Sequence, residues 1–519
     1  MEQIWIVQGE KNGKVELISK RNSNSGIVPV GTYLTVQTST ARFLLIVSDS
    51  SQVAVFQPSY LMTDLDLGAF EADRESKNKI LAVRIHDLDL REDGLIDYII
   101  PLSKARLSTS EEIHIGLNSK SNIGPSVFPA TVHNNVVRKL KTSDTNSFNI
   151  QIPLSAYWHQ IQITGKTGSG KTVASKYLAH HFLNSQVDGK YGCVLAINVK
   201  DTDFLEMNRG SNSIGDEIKK EWDVLGIDAE AIYNFEVLYN SYKSKNEYLQ
   251  RGVADTSCFR PVTLSASKLD AEALLGIVEN VTQLGQQALP DIFRYWQANY
   301  QGKGYDHFLE YYENGMLEDH TFKSIDLGGR VYEQKLNPST SSSLIQRLRT
   351  AGKFFDNDSG SEVKVEQIVQ EGKMTVIDVS DNISFGSIVL RFLLSEILRF
   401  KNEENSKIPV LIIIDEVHQF YKTSASGEAL GILDTISRVG RSKKIGVIFS
   451  SQNEKDLPTG ISSVVNSKFS FKSDEKFKVN GRDILMNSLK AGYCYSRIHG
   501  LPDLNFCKFP LSPSGVIKN

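Results

Sequence analysis

IQITGKTGSGKT, residues 161–172, decides the fold. Its first four residues, Ile161–Thr164, form a short apolar strand. They run straight into Gly165, Lys166, Thr167, Gly168, Ser169, Gly170, Lys171 and Thr172, which satisfy GxxxxGK[ST] at every fixed position. Val173–Leu183 then continues at helical spacing. A strand, a glycine-rich loop and a helix in this order cradle phosphates. The glycines let the loop fold tightly, so that successive backbone N–H groups face the anion. Lys171 supplies a point charge to the β- and γ-phosphates, and the Thr172 hydroxyl can ligate Mg²⁺.

Working outward, a partner motif appears at Leu411-Ile-Ile-Ile414-Asp415-Glu416. A buried-type strand ends there in two adjacent carboxylates. Asp415 is placed to hold Mg²⁺, mostly through water, and Glu416 to orient and polarise an attacking water. A protein that only switches on nucleotide binding has no need of the second carboxylate, so the pair points to ATP turnover. The sequence separation from Lys171 to Asp415 is 244 residues. That is long for a minimal nucleotide-binding core and requires an insertion between the two motifs.

Other candidates are less specific. Ile445–Ser450 should lie beside the Asp415 strand and end near Gln452, which could sense a γ-phosphate or position water. Arg438 and Arg441 close the helix before that strand. They are either cations favourably placed at a helix C-terminus or an arginine finger for a neighbouring subunit. Asp201 ends the strand Val194–Val199 with Asn198-Val-Lys-Asp, as a site residue or as an ordinary turn former. Arg347 and Arg349, two residues apart, cannot share a helix face. They read as solvated, or as DNA phosphate contacts inside a ring.

The 519 residues carry 58 Lys+Arg and 61 Asp+Glu, a net charge of −3. Hydrophobic residues are 40% and charged residues 23%, which excludes whole-chain disorder and collagenous or disulfide-rich classes. The near-neutral balance excludes a uniformly basic nucleic-acid binder but permits a local basic lining. Cys193, Cys258, Cys494 and Cys507 form no CxxC pair and read as free thiols in a reducing compartment. The ten histidines form no ligand cluster and no nuclease pattern appears. The N-terminus has no apolar run of signal-peptide type, and Val410–Ile414 is too short to span a bilayer. These features lead to the expectation of a cytoplasmic protein.

The first ~115 residues read as all-β. The strands are Tyr33–Val36, Phe43–Val47, Val53–Phe56 and Ile80–Ile85, with turns at Asn22–Gly26 and Ser48–Gln52. Short strands at this spacing suggest a barrel or sandwich. Asn118–Pro129 reads as a connector. From Phe148, strands alternate with helices, which indicates an α/β core. Residues ~266–370 interrupt it with helical patterns at Ala266–Leu284, with Ser267 as N-cap, then at Ile292–Tyr300, Phe308–Tyr312 and Ser341–Phe355. Met374–Val379, Val410–Asp415 and Ile445–Ser450 are further buried-type strands. Ser387–Phe400 and Glu428–Val439 are the helices between them.

Four features in one order resemble the HerA-like ATPases, relatives of the FtsK DNA pumps. They are the β-rich N-terminus with Val28-Pro-Val-Gly-Thr-Tyr-Leu, the loop GKTGSGKT, the strand LIIIDE, and Gly440-Arg-Ser-Lys-Lys-Ile-Gly with Ser450-Ser-Gln452. The resemblance implies an N-terminal all-β barrel over 1–117 for assembly or partner docking. It implies a RecA-like P-loop core over 118–265 and 371–519, split by the helical insertion 266–370. It further implies ATP and Mg²⁺ bound between the subunits of a homohexamer, with duplex DNA through the centre. Lys171, Thr172, Asp415, Glu416 and Gln452 map onto family roles, and the trans-acting arginine maps to Arg441 or Arg438. Bacterial members of that family often work with an effector, such as a nuclease or a sirtuin-type NAD hydrolase, in anti-phage defence. The segment reads GRSKKIG where housekeeping members have GRKFGIG, which leans toward the defence type. An ATP-gated scaffold ring that regulates an effector is the alternative, and a conjugation-type secretion ATPase a third.

Overall fold

A computed structural model of the chain describes residues 5–20, 28–54, 76–89, 98–118, 123–133, 136–145, 147–212, 214–277, 282–380, 382–403, 406–420, 435–436, 438–457, 459–479, 482–501 and 504–517. The expected turn Asn22–Gly26, the end of Val53–Phe56 and most of the helix Glu428–Val439 lie outside them.

The N-terminal strands close into a six-stranded barrel. Its order is Trp5–Lys11, Lys14–Lys20, Ser76–Asp87, Arg42–Ala54, Tyr33–Gln37 and Lys104–Leu107, which pairs back to the first strand. Alternation drives it: along Trp5–Lys11, Trp5 and Val7 are buried while Ile6 and Gln8 are exposed. Leu17, Leu34, Val36, Phe43, Leu45 and Ile80 complete its core. Closure leaves no unpaired strand edge.

Two details depart from the sequence reading. Ser48–Gln52 is not a turn but the middle of the strand Arg42–Ala54, which bends at bulges after Leu44 and Val47. The polar run stays extended because it pairs along its length with Ser76–Asp87. The region is also not all-β. A helix, Ser110–Gly116, is started by a capping box between Thr109 and Glu112.

The second body is a large sheet. Nine strands run parallel in the order Ser361–Glu362, Phe259–Thr263, Phe235–Asn240, Met374–Asp378, Cys193–Asn198, Val410–Ile414, Ile445–Ser451, Ile161–Thr164 and Ser467–Ser470. Tyr493–Arg497, Phe506–Lys508, Ser126–His133 and Val136–Lys139 extend it antiparallel. Ser126–Pro129, expected within a connector, is therefore strand.

The five central strands are buried at every residue. Their successive side chains enter two different cores. Leu195, Ile197, Ile412 and Ile414 face one, and Val194, Ala196, Leu411 and Ile413 the other. Burial on both faces is why these segments read as continuous apolar runs.

Residues 266–370 carry the helices Gln283–Asn299, Tyr305–Leu317 and Pro338–Ala351. The expected helix start at Ser267 is replaced by a short 3₁₀ turn, Ala271–Ile277, and the α-helix is capped by Thr282. The insertion also holds a β-hairpin, Thr321–Ile325 with Val331–Lys335. Its outer strand is exposed or half-buried throughout, so no apolar run announced it. Among the described residues no helix is long and apolar enough to cross a membrane. All four cysteines are free. Cys193, Cys494 and Cys507 are buried, and Cys258 is half-buried.

Candidate nucleotide site at the C-terminal edge of the sheet

Parallel strands bring their C-terminal ends to one edge, where ligands of α/β proteins gather. The register fixes what meets there. Thr164 pairs with Ser451, Ile414 with Phe449, and Ile197 with Ile414. The loop that starts at Gly165, the Asp415–Glu416 pair, the Asn198 turn and Gln452 therefore share this edge. The Gln452 strand lies between the loop strand and the carboxylate strand, and Gln452 itself is half-buried.

The loop is held from outside. The Lys166 N–H donates to the Lys472 carbonyl at 2.8 Å, and the Gly492 N–H to the Ser169 carbonyl at 2.9 Å. Lys166 also pairs with Asp474 at 2.6 Å in an exposed ion pair. Gly170 has φ +107, and a β-carbon there would lie 2.9 Å from the Gly492 nitrogen. Only glycine accepts both conditions.

The helix Lys171–Leu183 follows, with no side-chain cap and no acidic residue in its first turn. Its first N–H groups are thus open to an anion. Lys171 is buried, and its ammonium donates back to the carbonyls of Gly165 at 2.6 Å and Lys166 at 3.3 Å. Burial lowers its pKa, against the opposing pull of Glu416 and Asp415.

Asp415 is buried at the strand end, and its pKa is pushed up to about 6, by burial first and by the Asp203 carboxylate second. Asp203 is raised as well, chiefly by burial, with Lys176 opposing. Thr172 Oγ1 donates to Asp203 Oδ2 at 3.5 Å. Asp203 lies outside the sequence motifs; its one sequence signal is the spacing Asp201-Thr-Asp203, in which the second carboxylate and not the first turns toward Thr172. Asp201 is exposed, and its backbone carbonyl accepts from Asn198 Nδ2 at 3.1 Å and Arg251 at 2.8 Å. Asn198 Oδ1 accepts from the Phe204 N–H at 3.2 Å, closing the turn that carries Asp203 back toward Thr172.

Glu416 is buried in a left-handed backbone conformation, φ +43, a strained state for a non-glycine residue. Its Oε1 is ion-paired to Lys200, and its Oε2 lies 3.3 Å from His418 Nδ1. His418 in turn lies 4.0 Å from Asp456.

The arginines are elsewhere. Arg438 and Arg441 lie in a helical stretch before Ile445, at the N-terminal end of its strand and hence the sheet edge opposite the loop. Arg441 lowers the pKa of His159 and His499, a stacked pair with centroids 3.5 Å apart, though burial is the larger cause in both. Arg349 is exposed and pairs with Glu313 at 2.7 Å, and Arg347 is exposed.

Among the described residues, no cluster of three or more His, Cys, Asp or Glu is arranged to hold a metal ion. Mg²⁺ at a phosphate site does not need such a cage, because phosphate oxygens and water supply most of its ligands. The donor set here fits that mode. A hydroxyl, the buried Asp415 carboxylate and the half-buried Asp203 carboxylate that raises it would gain from a divalent cation.

No family profile matches the chain, and no curated protein does. Among solved structures, VirB4 of Thermoanaerobacter pseudethanolicus aligns at 15% identity and a TM-score of 0.41, over 76% of this chain and 97% of that one. The plasmid coupling protein TrwB in complex with ADP and Mg²⁺ aligns at 13% identity and 0.45, over 75% and 94%. TrwB with a non-hydrolysable GTP analogue gives 13% and 0.44, over 77% and 98%.

Proposed function

We propose that the chain is a Mg²⁺-dependent ATPase that assembles as a homohexamer and moves or grips duplex DNA. The observation that carries the ATPase reading is the meeting, at one sheet edge, of an open helix N-terminus, Lys171 and the buried Asp415–Glu416 pair. Open N–H groups and Lys171 hold the phosphates. Thr172 and Asp415, with Asp203 beside them, hold the metal, which when bound neutralises phosphate charge. Glu416 orients the attacking water and accepts its proton. Gln452, just past the end of the strand between the two motifs, is placed to sense the γ-phosphate.

Arg438 and Arg441 favour the ring. At the edge opposite their own loop, either can serve a nucleotide only in a neighbouring chain. Activity would then require assembly. The barrel has a core of its own, and Tyr33, Leu44 and Ile46 on its strands also join one of the two cores of the sheet. A closed barrel anchored in this way suits a docking module for an effector, a nuclease or a sirtuin-type NAD hydrolase, in anti-phage defence. On the scaffold reading, the same ring gates that effector without processive translocation.

The deciding experiment is ATPase rate per chain against protein concentration, with and without duplex DNA, with mass measured in parallel. A rate that rises steeply as a ring forms, and again with DNA, is the expected result. A ring that ignores DNA and turns over slowly until an effector is added would transfer support to the scaffold. A rate independent of assembly would remove the trans arginine.

A further inference from the structure

Besides Lys166, which pairs with Asp474 on the exposed side of the loop, three lysines approach the candidate site, and the proposed function uses only Lys171. Lys176 is accounted for by the fold: it is buried along the loop helix and donates to the Gly515 carbonyl at 2.6 Å. Lys200 has no such structural employment. It follows the strand Cys193–Asn198, its side chain is 37% exposed, and its ammonium is ion-paired with Glu416 Oε1. Glu416 itself is 4% exposed at the side chain.

Two consequences follow. A carboxylate oxygen occupied by an ammonium is not free to receive a hydrogen bond from an attacking water in the same place. The Lys200 ammonium also lies close enough to the Lys171 ammonium to help lower its pKa. Two cations held near one another beside an open helix N-terminus form a site for a multiply charged anion. One of them reaches that anion only by leaving Glu416.

We propose that Lys200 is a phosphate-responsive latch on Glu416: it withholds the carboxylate in the nucleotide-free protein and transfers to the γ-phosphate when ATP binds. Lys200 is a positioning residue in this scheme, acting on the reaction through Glu416. ADP lacks the γ-phosphate and leaves the latch closed, so the general base is freed only when there is a bond to break. Glu416 and the γ-phosphate compete for one ammonium, and thermodynamic linkage makes the competition measurable. The inference rests on the ATPase reading above.

The test is equilibrium binding of AMP-PNP and ADP, each with Mg²⁺, to the full chain by calorimetry. No turnover is needed. Lys200→Met should weaken AMP-PNP about 10-fold and ADP less than about threefold, since one charge-assisted contact is lost with one ligand only. Glu416→Gln removes the competitor and should tighten AMP-PNP several-fold. In Lys200→Met/Glu416→Gln that gain should vanish. The double variant also avoids leaving a buried carboxylate unpaired, so its folding is not in question.

Lys200→Met that shifts AMP-PNP and ADP equally, or neither, overturns the latch. So does a Glu416→Gln gain that survives in the double variant. A wild-type protein that binds neither nucleotide overturns the ATPase reading instead, and the two failures are thereby distinct.

Discussion

Glu416→Gln is expected to lower ATP turnover by about 10²- to 10⁴-fold, the range for loss of a positioned general base, while AMP-PNP still binds. The substitution keeps the side chain's size and one carbonyl oxygen, so packing beside Lys200 and His418 is nearly preserved. What disappears is the ionised oxygen that takes the proton of the attacking water. The groups proposed to hold phosphate, Lys171 and the helix N-terminus, are untouched. Steady-state phosphate release at saturating ATP, with AMP-PNP binding measured alongside, checks both halves. A rate within threefold of wild type would remove Glu416 from the chemistry.

Asp415→Asn should do two opposite things: abolish Mg²⁺-dependent turnover and stabilise the protein in chelator at neutral pH. The second follows from the sign of the shift. The folded-state pKa of Asp415 is raised from 3.8 to about 6, so the native chain binds protons more tightly than the unfolded one. Stability is therefore lost as pH rises from about 4 to about 6, and the loss stays constant above that. At ~1.4 kcal/mol per pKa unit, it reaches roughly 3 kcal/mol at neutral pH. Asparagine cannot ionise and escapes it. Urea midpoints in chelator should favour the variant most above pH 6 and less as pH falls toward 4. With Mg²⁺ and AMP-PNP the wild type should recover the difference. A variant less stable than wild type at pH 7.5 in chelator would show that the carboxylate is satisfied without a cation.

The two nucleotide motifs were legible because their strands are buried on both faces, which turns them into apolar runs that end abruptly in charge. Ile161–Thr164 and Val410–Ile414 are of this kind. Phe235–Asn240 and Phe259–Thr263 escaped notice because half-buried Glu236 and Arg260 break their apolar runs; these two side chains pair with each other at 2.7 Å. The helix Ser110–Gly116 carried a readable sign, Thr109 three residues before Glu112, in a segment read as strands. Within the site, the positions of Lys171, Thr172, Asp415 and Glu416 at one sheet edge followed from motif spacing. Asp203 and Lys200 did not, because a turn brings them in and the residue separation within a turn does not fix direction. For Arg438 and Arg441 the sequence could place them beside a strand but not say which end of the sheet they occupy relative to the loop.

The clasp on the loop from residues 472 and 492, and the Gly515 carbonyl that holds Lys176, have a bearing on biosynthesis. The loop is made more than three hundred residues before the last of these contacts. At ~5–20 residues per second, that interval is roughly 20–70 s. For most of it the emerging polypeptide carries the loop sequence without the segments that clamp it, so the loop's final conformation waits on residues made long after it.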